Sequence, residues 1–557
     1  MSNFFSKLDK TYNWFNDEVY KYLLFLYYLN KITKPLYAFF LGFLAALALP
    51  PVNFFFLLPF AFASVIRMTD FCETKWQAYK VGFYFSFGFC LTGFYWVSFA
   101  VLNEQAFLWL LPFAFFGVPL LLALLQALLF PIYLHIVTYS SAIKKLVIFS
   151  ALWVFFEILR GFVIFQFPWN FLGYSFSFSG GILQITSVIG VLGLSFVTIL
   201  WASSFHLLML TGDKDDFVKY FKFLLFNNIF LFLLFLFGSI NLMSNKNTNY
   251  EDITLRIVQG NVKAGGGNAG SFDPHLEKYL RLTTSKSLEN VDYIIWPEGS
   301  INSFAYNNED VKNRLSSILT GEQILITGSV RFEKTVEDYN VFNSIIFINK
   351  TGGATFYDKN YLVPFGEFVP FKSLIPLKAI ANSWKDFSRG EGMQTLKLSS
   401  KVPPFMPLIC YEIAFTGQVG NYENLQPEWI LNITNDAWYG YSSGPFQHLQ
   451  ISRIRGIEEG IPVIRASNNG ISAVFDEYGR TISRTSLFKE QVIDVKLPQY
   501  KKSRTVFSFV GNYPLIIGLI LFLLFSFGEF YYIKNDKKIN EAGYKMASKK
   551  LPNKKKY

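Results

Sequence analysis

Residues 407–413 read Pro-Leu-Ile-Cys-Tyr-Glu-Ile, an apolar, strand-like run that ends on Cys410 and is followed at once by Tyr411 and Glu412. Two similar runs lie upstream. Glu298 ends the segment Ile-Trp-Pro-Glu, and Lys359 follows Thr-Phe-Tyr-Asp. In layered α/β folds, functional sites collect at the carboxyl ends of strands. The three runs therefore predict a layered α/β domain that brings a thiol, a carboxylate and an ammonium group together.

The segment around these runs, residues 243–505, differs in composition from its flanks and is long enough for one globular domain with a full core. Helix-compatible stretches at 274–289 and 446–459 separate some of its β-rich runs, which predicts an α/β sandwich or layered sheet. The β-rich runs are Thr254–Gln259, Tyr293–Trp296, Ile324–Ser329, Ser344–Asn349, Pro407–Cys410, Trp429–Thr434, Val463–Ala466 and Ser472–Phe475.

The chain as a whole is too apolar and too aromatic for an ordinary soluble enzyme. Of 557 residues, 52% are hydrophobic, and 64 are Phe. Apolar runs of roughly 20 residues are long enough to cross a bilayer as helices. We predict a polytopic bundle of about eight spans, with seven in residues 35–242 and the last at 512–532. The seven are at 35–49, 52–68, 80–101, 105–139, 144–164, 182–209 and 221–242.

Basic residues are concentrated in every second connection, which the positive-inside rule reads as cytoplasmic. We therefore expect residues 1–34 and the tail 533–557 to be cytoplasmic and the domain 243–505 to lie outside. The tail has nine Lys against Asp536 and Glu541, so 9 − 2 = +7 of the chain's +11 charge is beside the membrane. This placement favours anionic lipid headgroups as the partner and argues against nucleic acid.

The chain has three cysteines, Cys72, Cys90 and Cys410. On the expected topology they lie in the cytoplasm, within a span and outside, so that no pair can form a disulfide. Cys410 is then a free thiol in an oxidising compartment, which suggests a chemical role. The alternative is that Cys410 is a small buried hydrophobic residue, as free cysteines usually are.

A thiol titrates near pH 8.5 and needs help to react at neutral pH. Glu298 is a candidate base that takes the thiol proton and later returns it to the leaving group, and Lys359 would support the thiolate or an oxyanion. The alternative for this pair is a surface salt bridge worth about 0–1 kcal/mol. No cluster of residues has metal-ligand spacing, so we predict neither metal nor cofactor.

Several motifs resemble those of a known family. The segments around Glu298, Lys359 and Cys410 resemble the Glu–Lys–Cys site of the nitrilase superfamily and, more narrowly, apolipoprotein N-acyltransferases of bacterial inner membranes. The further matching segments are Val258–Asn261, Asn435–Gly440, Gly444–His448, Arg453–Arg455, Arg465–Gly470, Leu159–Gly161 and Phe167–Trp169. The match covers most of the chain.

The resemblance implies a four-layer α-β-β-α domain inserted between the helices of a bundle of about eight spans. It implies an enzyme that takes an acyl chain from a phospholipid, holds it as a thioester on Cys410, and passes it to the α-amino group of a diacylglyceryl-cysteine at the N-terminus of an apolipoprotein. Glu298 would be the base and Lys359 the oxyanion stabiliser. A monomer in the inner membrane, with its catalytic domain in the periplasm, is expected.

The resemblance also implies roles for residues near the three. Glu367 matches a second acidic position, and Tyr411 and Glu412 match positions important for activity. Trp438 and Tyr439 would contact the acyl chain or be core or interfacial aromatic residues. One departure is a Gly-rich insertion before Phe272, where family members often have a Trp.

Two other functions remain open at this point. A membrane-tethered amidase or lipid hydrolase would use the same three groups with water as acceptor. A transporter or lipid-binding protein would need polar residues within the spans, which are few. His448 raises a Cys–His dyad as an alternative, although a structural or substrate-positioning role is favoured.

Overall fold

The computed structural model describes residues 17–102, 105–210, 214–246, 248–262, 273–301, 308–335, 339–368, 386–419, 425–501 and 503–550. The Gly-rich stretch and Phe272, on which the loop prediction rests, lie outside the described residues.

The amino-terminal part is a bundle of helices. Helix α1 covers 17–28, and two short helices follow, α2 (Thr33–Ala46) and α3 (Leu58–Asp70). Five long apolar helices complete this part of the bundle, and a sixth comes after the α/β domain. These are α4 (Lys75–Leu102), α5 (Leu108–Tyr139), α6 (Ala142–Ile164), α7 (Thr186–Met209), α8 (Asp215–Ser244) and the apolar part of α13, Tyr513–Lys538.

The six long helices account for six of the eight predicted spans. Helices α2 and α3 have 14 and 13 residues. At 1.5 Å per residue each is about 20 Å long, which is shorter than the roughly 30 Å hydrocarbon core of a bilayer. The described residues thus contain six helices long and apolar enough to cross, and the count of eight is approximate.

Residues 249–498 form two mixed sheets. The first has the order β11-β1-β2-β3-β4-β5 and the second β10-β9-β8-β7-β6. The first five strands are β1 (Asn249–Gln259), β2 (Tyr293–Ile295), β3 (Ile324–Lys334), β4 (Tyr339–Asn349) and β5 (Ala354–Asp358). The others are β6 (Phe405–Ile409), β7 (Trp429–Thr434), β8 (Val463–Ser467), β9 (Ala473–Phe475), β10 (Thr481–Arg484) and β11 (Gln491–Pro498).

The two sheets pack face to face, with helices on both outer faces. Phe405 of the second sheet meets Tyr293 and Phe347 of the first, with ring centroids 6.4 and 5.8 Å apart. Helices α9 (Pro274–Thr283) and α10 (Glu309–Ser317) enclose a separate apolar core on the outside of the first sheet. Helix α11 (Gly444–Glu459) covers the second sheet. The predicted four-layer α-β-β-α fold is confirmed.

The α/β domain is hydrogen-bonded to the bundle through helix α11. Helix α7 breaks at Gly190, whose φ of +66° is costly for any residue with a Cβ, and Phe507 of α12 (Val506–Val510) fills the space beside it. Because of this break, the Val191 N–H can donate to the Glu458 carboxylate at 2.7 Å. Buried polar groups therefore fix the domain against the membrane helices.

Candidate active site

The three candidate residues each lie within three residues of a strand's carboxyl end, and the topology of the two facing sheets brings these ends together. In the first sheet, β2 pairs parallel with β3, and β5 runs in the same direction because β4 lies antiparallel between them. Glu298 follows β2, Lys359 follows β5, and Cys410 follows β6 of the facing sheet. The thiol, carboxylate and ammonium group are therefore neighbours, as the strand-end pattern predicts.

Glu298 is held by two hydrogen bonds in a buried position. Its Oε1 accepts from Asn343 Nδ2 and its Oε2 from the Asn435 N–H, both at 2.8 Å. The neighbouring strand has a glycine, Gly328, at the point of contact with Glu298. A Cβ there would lie 2.5 Å from the Glu298 Cα, so a larger residue would displace Glu298. Burial and the Glu367 carboxylate raise the pKa of Glu298, against the opposing effect of Lys359. A carboxyl group with a raised pKa is suited to accept and return a proton.

The Lys359 ammonium group lies between two carboxylates. Its Nζ donates to Glu367 Oε1 at 2.8 Å and lies 3.8 Å from Glu298 Oε1, with 1% of the side chain exposed. Burial works against the charge, but Glu367 and Glu298 together raise the pKa of Lys359. Lys359 is consequently a fixed cation and cannot serve as a base at neutral pH.

Glu367, the second acidic position, belongs to the same network. Its Oε1 also accepts from Asn343 Nδ2 at 2.8 Å, and its Oε2 accepts from the Val363 N–H at 2.8 Å. The Asn343 amide thus donates to Glu298 and to Glu367 at once. This bridge holds two like charges on either side of Lys359.

Cys410 lies at the turn between β6 and a short 3₁₀ segment, Cys410–Ala414. Its φ of +51° is left-handed, which is uncommon for a residue other than glycine and costs about 1–3 kcal/mol. Burial and the Glu298 carboxylate raise the pKa of Cys410 to about 12, while Lys359 lowers it. The resting thiol is therefore protonated at neutral pH, and it would need a base to react as a nucleophile.

Glu412 is fully buried and joins two of the catalytic loops. Its Oε1 accepts from the N–H groups of Asn360 and Tyr361 at 2.6 and 3.3 Å. Its Oε2 accepts from the Ile409 N–H at 2.8 Å and the Tyr357 hydroxyl at 3.1 Å. Burial raises the pKa of Glu412 to about 7, against these hydrogen bonds. Glu412 thus fixes the residue after Lys359 relative to the residue before Cys410.

Aromatic residues connect the thiol to the membrane bundle. The Tyr411 hydroxyl donates to the Gln166 carbonyl, in the connection after α6. Tyr439 has its hydroxyl 4.0 Å from the Cys410 Sγ and packs on Trp96, with ring centroids 4.7 Å apart. Trp438, in the same 3₁₀ segment Asp436–Tyr439, is 40% exposed. The membrane side of the thiol is consequently an aromatic wall.

His448 does not face the Cys410 sulfur. Its Nε2 lies 3.2 Å from the Cys410 main-chain oxygen, and its Nδ1 lies 3.0 Å from Asp436 Oδ1. Burial and the neighbouring Arg465 lower the pKa of His448. This position argues against the alternative of a Cys410–His448 dyad, because the imidazole contacts the Cys410 main chain and not its sulfur. In the described part of the chain, no group of three or more His, Cys, Asp or Glu could hold a metal ion.

Comparison with known proteins shows the family of the chain. Residues 41–204 match the family model "Apolipoprotein N-acyltransferase N-terminal domain", and residues 254–503 match "Carbon-nitrogen hydrolase". The apolipoprotein N-acyltransferase of Rickettsia prowazekii is 34% identical over 87% of this chain and 96% of its own length. That of Rhodopseudomonas palustris is 32% identical over 87% and 93%. The chain belongs to the apolipoprotein N-acyltransferase family.

The membership agrees with the resemblance in the sequence and shows that the chain is a multi-pass bacterial membrane protein with N-acyltransferase activity. The crystal structure of a CN-hydrolase superfamily protein from Xanthomonas campestris aligns at 18% identity and a TM-score of 0.33, covering 48% of this chain and 97% of that one.

Three further residues of this family member contact the site; Tyr439 was weighed as an acyl-chain contact, whereas Asn343 and Asn435 were not predicted as site residues. Asn343 and Asn435 hold the Glu298 carboxylate, and Tyr439 lies beside the thiol. Asn343 is the buried one of the three asparagines in β4 and follows the apolar Val341 and Phe342, and an amide next to apolar residues in a strand is a signal that the sequence offered. Asn435 follows β7 as Glu298 follows β2, so the strand-end rule applied to it as well.

Proposed function

We propose that this protein transfers an acyl chain from a membrane phospholipid to the α-amino group of a diacylated apolipoprotein, through a thioester on Cys410. The observation that carries the proposal is the arrangement of Cys410, Glu298 and Lys359 at the strand ends of the two facing sheets, against aromatic residues of the membrane bundle. An acyl chain in the bilayer and the thiol that would accept it are thus on the same side of the domain.

In the first half-reaction, Glu298 takes the Cys410 proton as the sulfur attacks the ester carbonyl of the phospholipid. The new C–S bond creates an oxyanion, and the Lys359 ammonium group stabilises its charge. The ester C–O bond then breaks, and the leaving alkoxide receives the proton from Glu298. The products are a lysophospholipid and an acyl thioester on Cys410, with the carboxylate free again.

In the second half-reaction, the α-amino group of the acceptor attacks the thioester carbonyl. Glu298 accepts a proton from the amine, Lys359 stabilises the second oxyanion, and the C–S bond breaks to form an amide. The departing sulfur takes the proton back from Glu298. The high pKa of Cys410 favours this return of the thiol to its resting, protonated state.

Mass spectrometry of the intact enzyme tests the thioester. Purified protein incubated with a phospholipid of defined acyl chains should gain the mass of one acyl group on the peptide containing Cys410. Addition of a diacylated lipopeptide with a free N-terminal amine should remove that mass and produce N-acylated peptide. Free fatty acid without N-acylated peptide would instead identify the lipid hydrolase that the three groups also allow.

Two variants make this experiment specific. Cys410→Ala should give neither the adduct nor the product. Cys72→Ala changes another buried cysteine, one far along the chain from the site, and should behave as the wild type. Full transfer by Cys410→Ala would end the proposal, because no other described cysteine follows a strand of either sheet.

We also propose that the catalytic domain lies on the periplasmic side of the inner membrane, because basic residues are concentrated in alternate connections. Tyr441 is 80% exposed on the domain, and Lys537 is exposed on the last helix. In intact spheroplasts, a membrane-impermeant maleimide should label Tyr441→Cys and should label Lys537→Cys only after lysis. The reverse pattern would place the domain in the cytoplasm.

A further inference from the structure

The Cys410 carbonyl group lies among side chains of the second sheet and helix α11. Its oxygen is 3.2 Å from His448 Nε2 and 3.4 Å from Asn432 Nδ2. A carbonyl oxygen can only accept, so His448 Nε2 must have a proton and donate it there. The imidazole is therefore a donor to the main chain of the candidate nucleophile.

The opposite edge of the imidazole is held by charged residues. Nδ1 lies 3.0 Å from Asp436 Oδ1 and 3.2 Å from Arg465 Nη2. Arg465 in turn donates to Asp436 Oδ2 at 2.7 Å and to Asn432 Oδ1 at 2.6 Å. Whether Nδ1 donates to Asp436 or accepts from Arg465, the ring plane is fixed. All of these side chains are at least 99% buried.

The bond has a mechanical consequence, because the Cys410 backbone is in a left-handed conformation that costs about 1–3 kcal/mol. Rotation of this turn toward an ordinary conformation would move the carbonyl group away from its donors and swing the sulfur out of line with Glu298 and Lys359. A buried carbonyl group that loses its partner costs about 1–3 kcal/mol, which is similar to the strain. The donors are thus strong enough to hold the turn.

We infer that His448 is a positioning residue for the acyl-transfer reaction: through its Nε2–H bond to the Cys410 carbonyl group it holds the turn that aims the nucleophilic sulfur. The inference rests on the proposed thioester chemistry of Cys410. It gives His448 no proton-transfer role, because no hydrogen bond joins the imidazole to the sulfur in the described structure.

Two substitutions separate positioning from packing. Glutamine extends its amide nitrogen about as far as Nε2 of histidine, so His448→Gln can still donate to the Cys410 carbonyl group. Asparagine reaches only as far as Nδ1 of histidine. His448→Asn therefore keeps a polar group beside Asp436 but cannot donate to the Cys410 carbonyl group. A role limited to filling space or neutralising Asp436 would not prefer the longer amide.

The test measures single-turnover acylation of Cys410 by a defined phospholipid in detergent micelles. We expect His448→Asn to slow this step about 100-fold, the effect of a misplaced reacting group, while His448→Gln keeps most of the wild-type rate. The phospholipid concentration that gives the half-maximal rate should be unchanged in both, because binding is not affected. Alkylation of the Cys410 peptide by iodoacetamide, which needs no alignment with Lys359, should also be unchanged.

Equal acylation rates for the two variants would overturn the inference. Thermal unfolding shows whether the variants are folded. If His448→Asn is not folded, His448→Gln alone decides, and a folded but inactive His448→Gln also overturns the inference. The proposed function is tested separately by the wild-type enzyme in the same assay. Wild-type protein that forms no thioester would refute the thioester proposal, whereas a difference between variants concerns His448 alone.

Discussion

Replacing Glu298 with glutamine removes the proposed base and keeps the shape of the side chain. With a pKa of about 12, the Cys410 thiol alone would be ionised to about one part in 100,000 at pH 7. General bases typically contribute about 100- to 10,000-fold to the rate of a step. We therefore expect Glu298→Gln to slow thioester formation at pH 7 by a factor in this range.

The same substitution should change how the rate depends on pH. The Glu298 carboxylate raises the pKa of Cys410 and Lys359 lowers it, so the thiol pKa falls when the carboxylate is replaced by an amide. Without a base, the reactive thiolate must form by ionisation, and its fraction rises tenfold per pH unit below the thiol pKa. The deficit of the variant should hence shrink by about 100-fold between pH 7 and pH 9.

The assay is single-turnover formation of the acyl-enzyme from pH 6 to pH 9, quenched in acid and measured by mass spectrometry. Glu428→Gln is the matched control, because Glu428 accepts from the Tyr250 hydroxyl and is not part of the site. Thermal unfolding checks that Glu298→Gln keeps its fold. If Glu298→Gln were acylated at the wild-type rate at pH 7, or if its deficit did not change with pH, Glu298 would not be the base.

Three further predictions concern stability and docking. Glu412→Gln should lower the free energy of unfolding by about 2–4 kcal/mol, because one half of the amide would face N–H donors, and should slow acylation; unchanged denaturant unfolding would contradict this. Burial raises the pKa of Glu459 to about 7, so its contribution to stability is present below about pH 4.5 and is lost as pH rises to about 7; Glu459→Gln should flatten that decrease in a pH series of melting temperatures, and an equal slope would refute it. Gln447→Leu leaves the indole N–H groups of Trp96 and Trp169 without their shared acceptor and should lower the melting temperature. Gln450→Leu in the same helix changes a half-buried side chain that contacts neither indole and should lower it less; an equal decrease would contradict the prediction.

The sequence predicted the core of the site because Glu298 and Cys410 follow buried apolar strands and Lys359 follows a similar run, and strand direction alone brings such positions together. The eight β-rich runs that it predicted do not include β5, β10 and β11, although the residues before Lys359 in β5 were noted as a strand-like run. These strands lie at or beside sheet edges and are partly exposed, so polar residues interrupt their apolar pattern. Periodicity is weakest where one face of a strand meets solvent.

Long-range partners are the part of the site that sequence alone leaves out. Tyr439 contacts Trp96 and Tyr411 contacts Gln166, and each pair is separated by more than 200 residues. Composition identifies all of these as aromatic or polar residues, but no spacing rule joins a membrane connection to a loop of the catalytic domain. The two predicted spans that are the short helices α2 and α3 show the same limit of the sequence. Apolar content predicts that a segment is buried, but only tertiary structure shows whether it is long enough to cross a bilayer.

Helix α11 suggests why the catalytic domain and the bundle are one functional unit. Gln447 accepts from the indole N–H groups of Trp96 and Trp169 at 3.0 and 2.8 Å and donates to the Pro50 carbonyl at 3.3 Å. The next residue, His448, contacts the Trp169 ring and donates to the Cys410 carbonyl group. Neighbouring positions of a helix face different directions, so a single buried turn contacts three membrane segments and the proposed nucleophile, Cys410. A displacement of these membrane segments would therefore move the same turn that holds the sulfur in place.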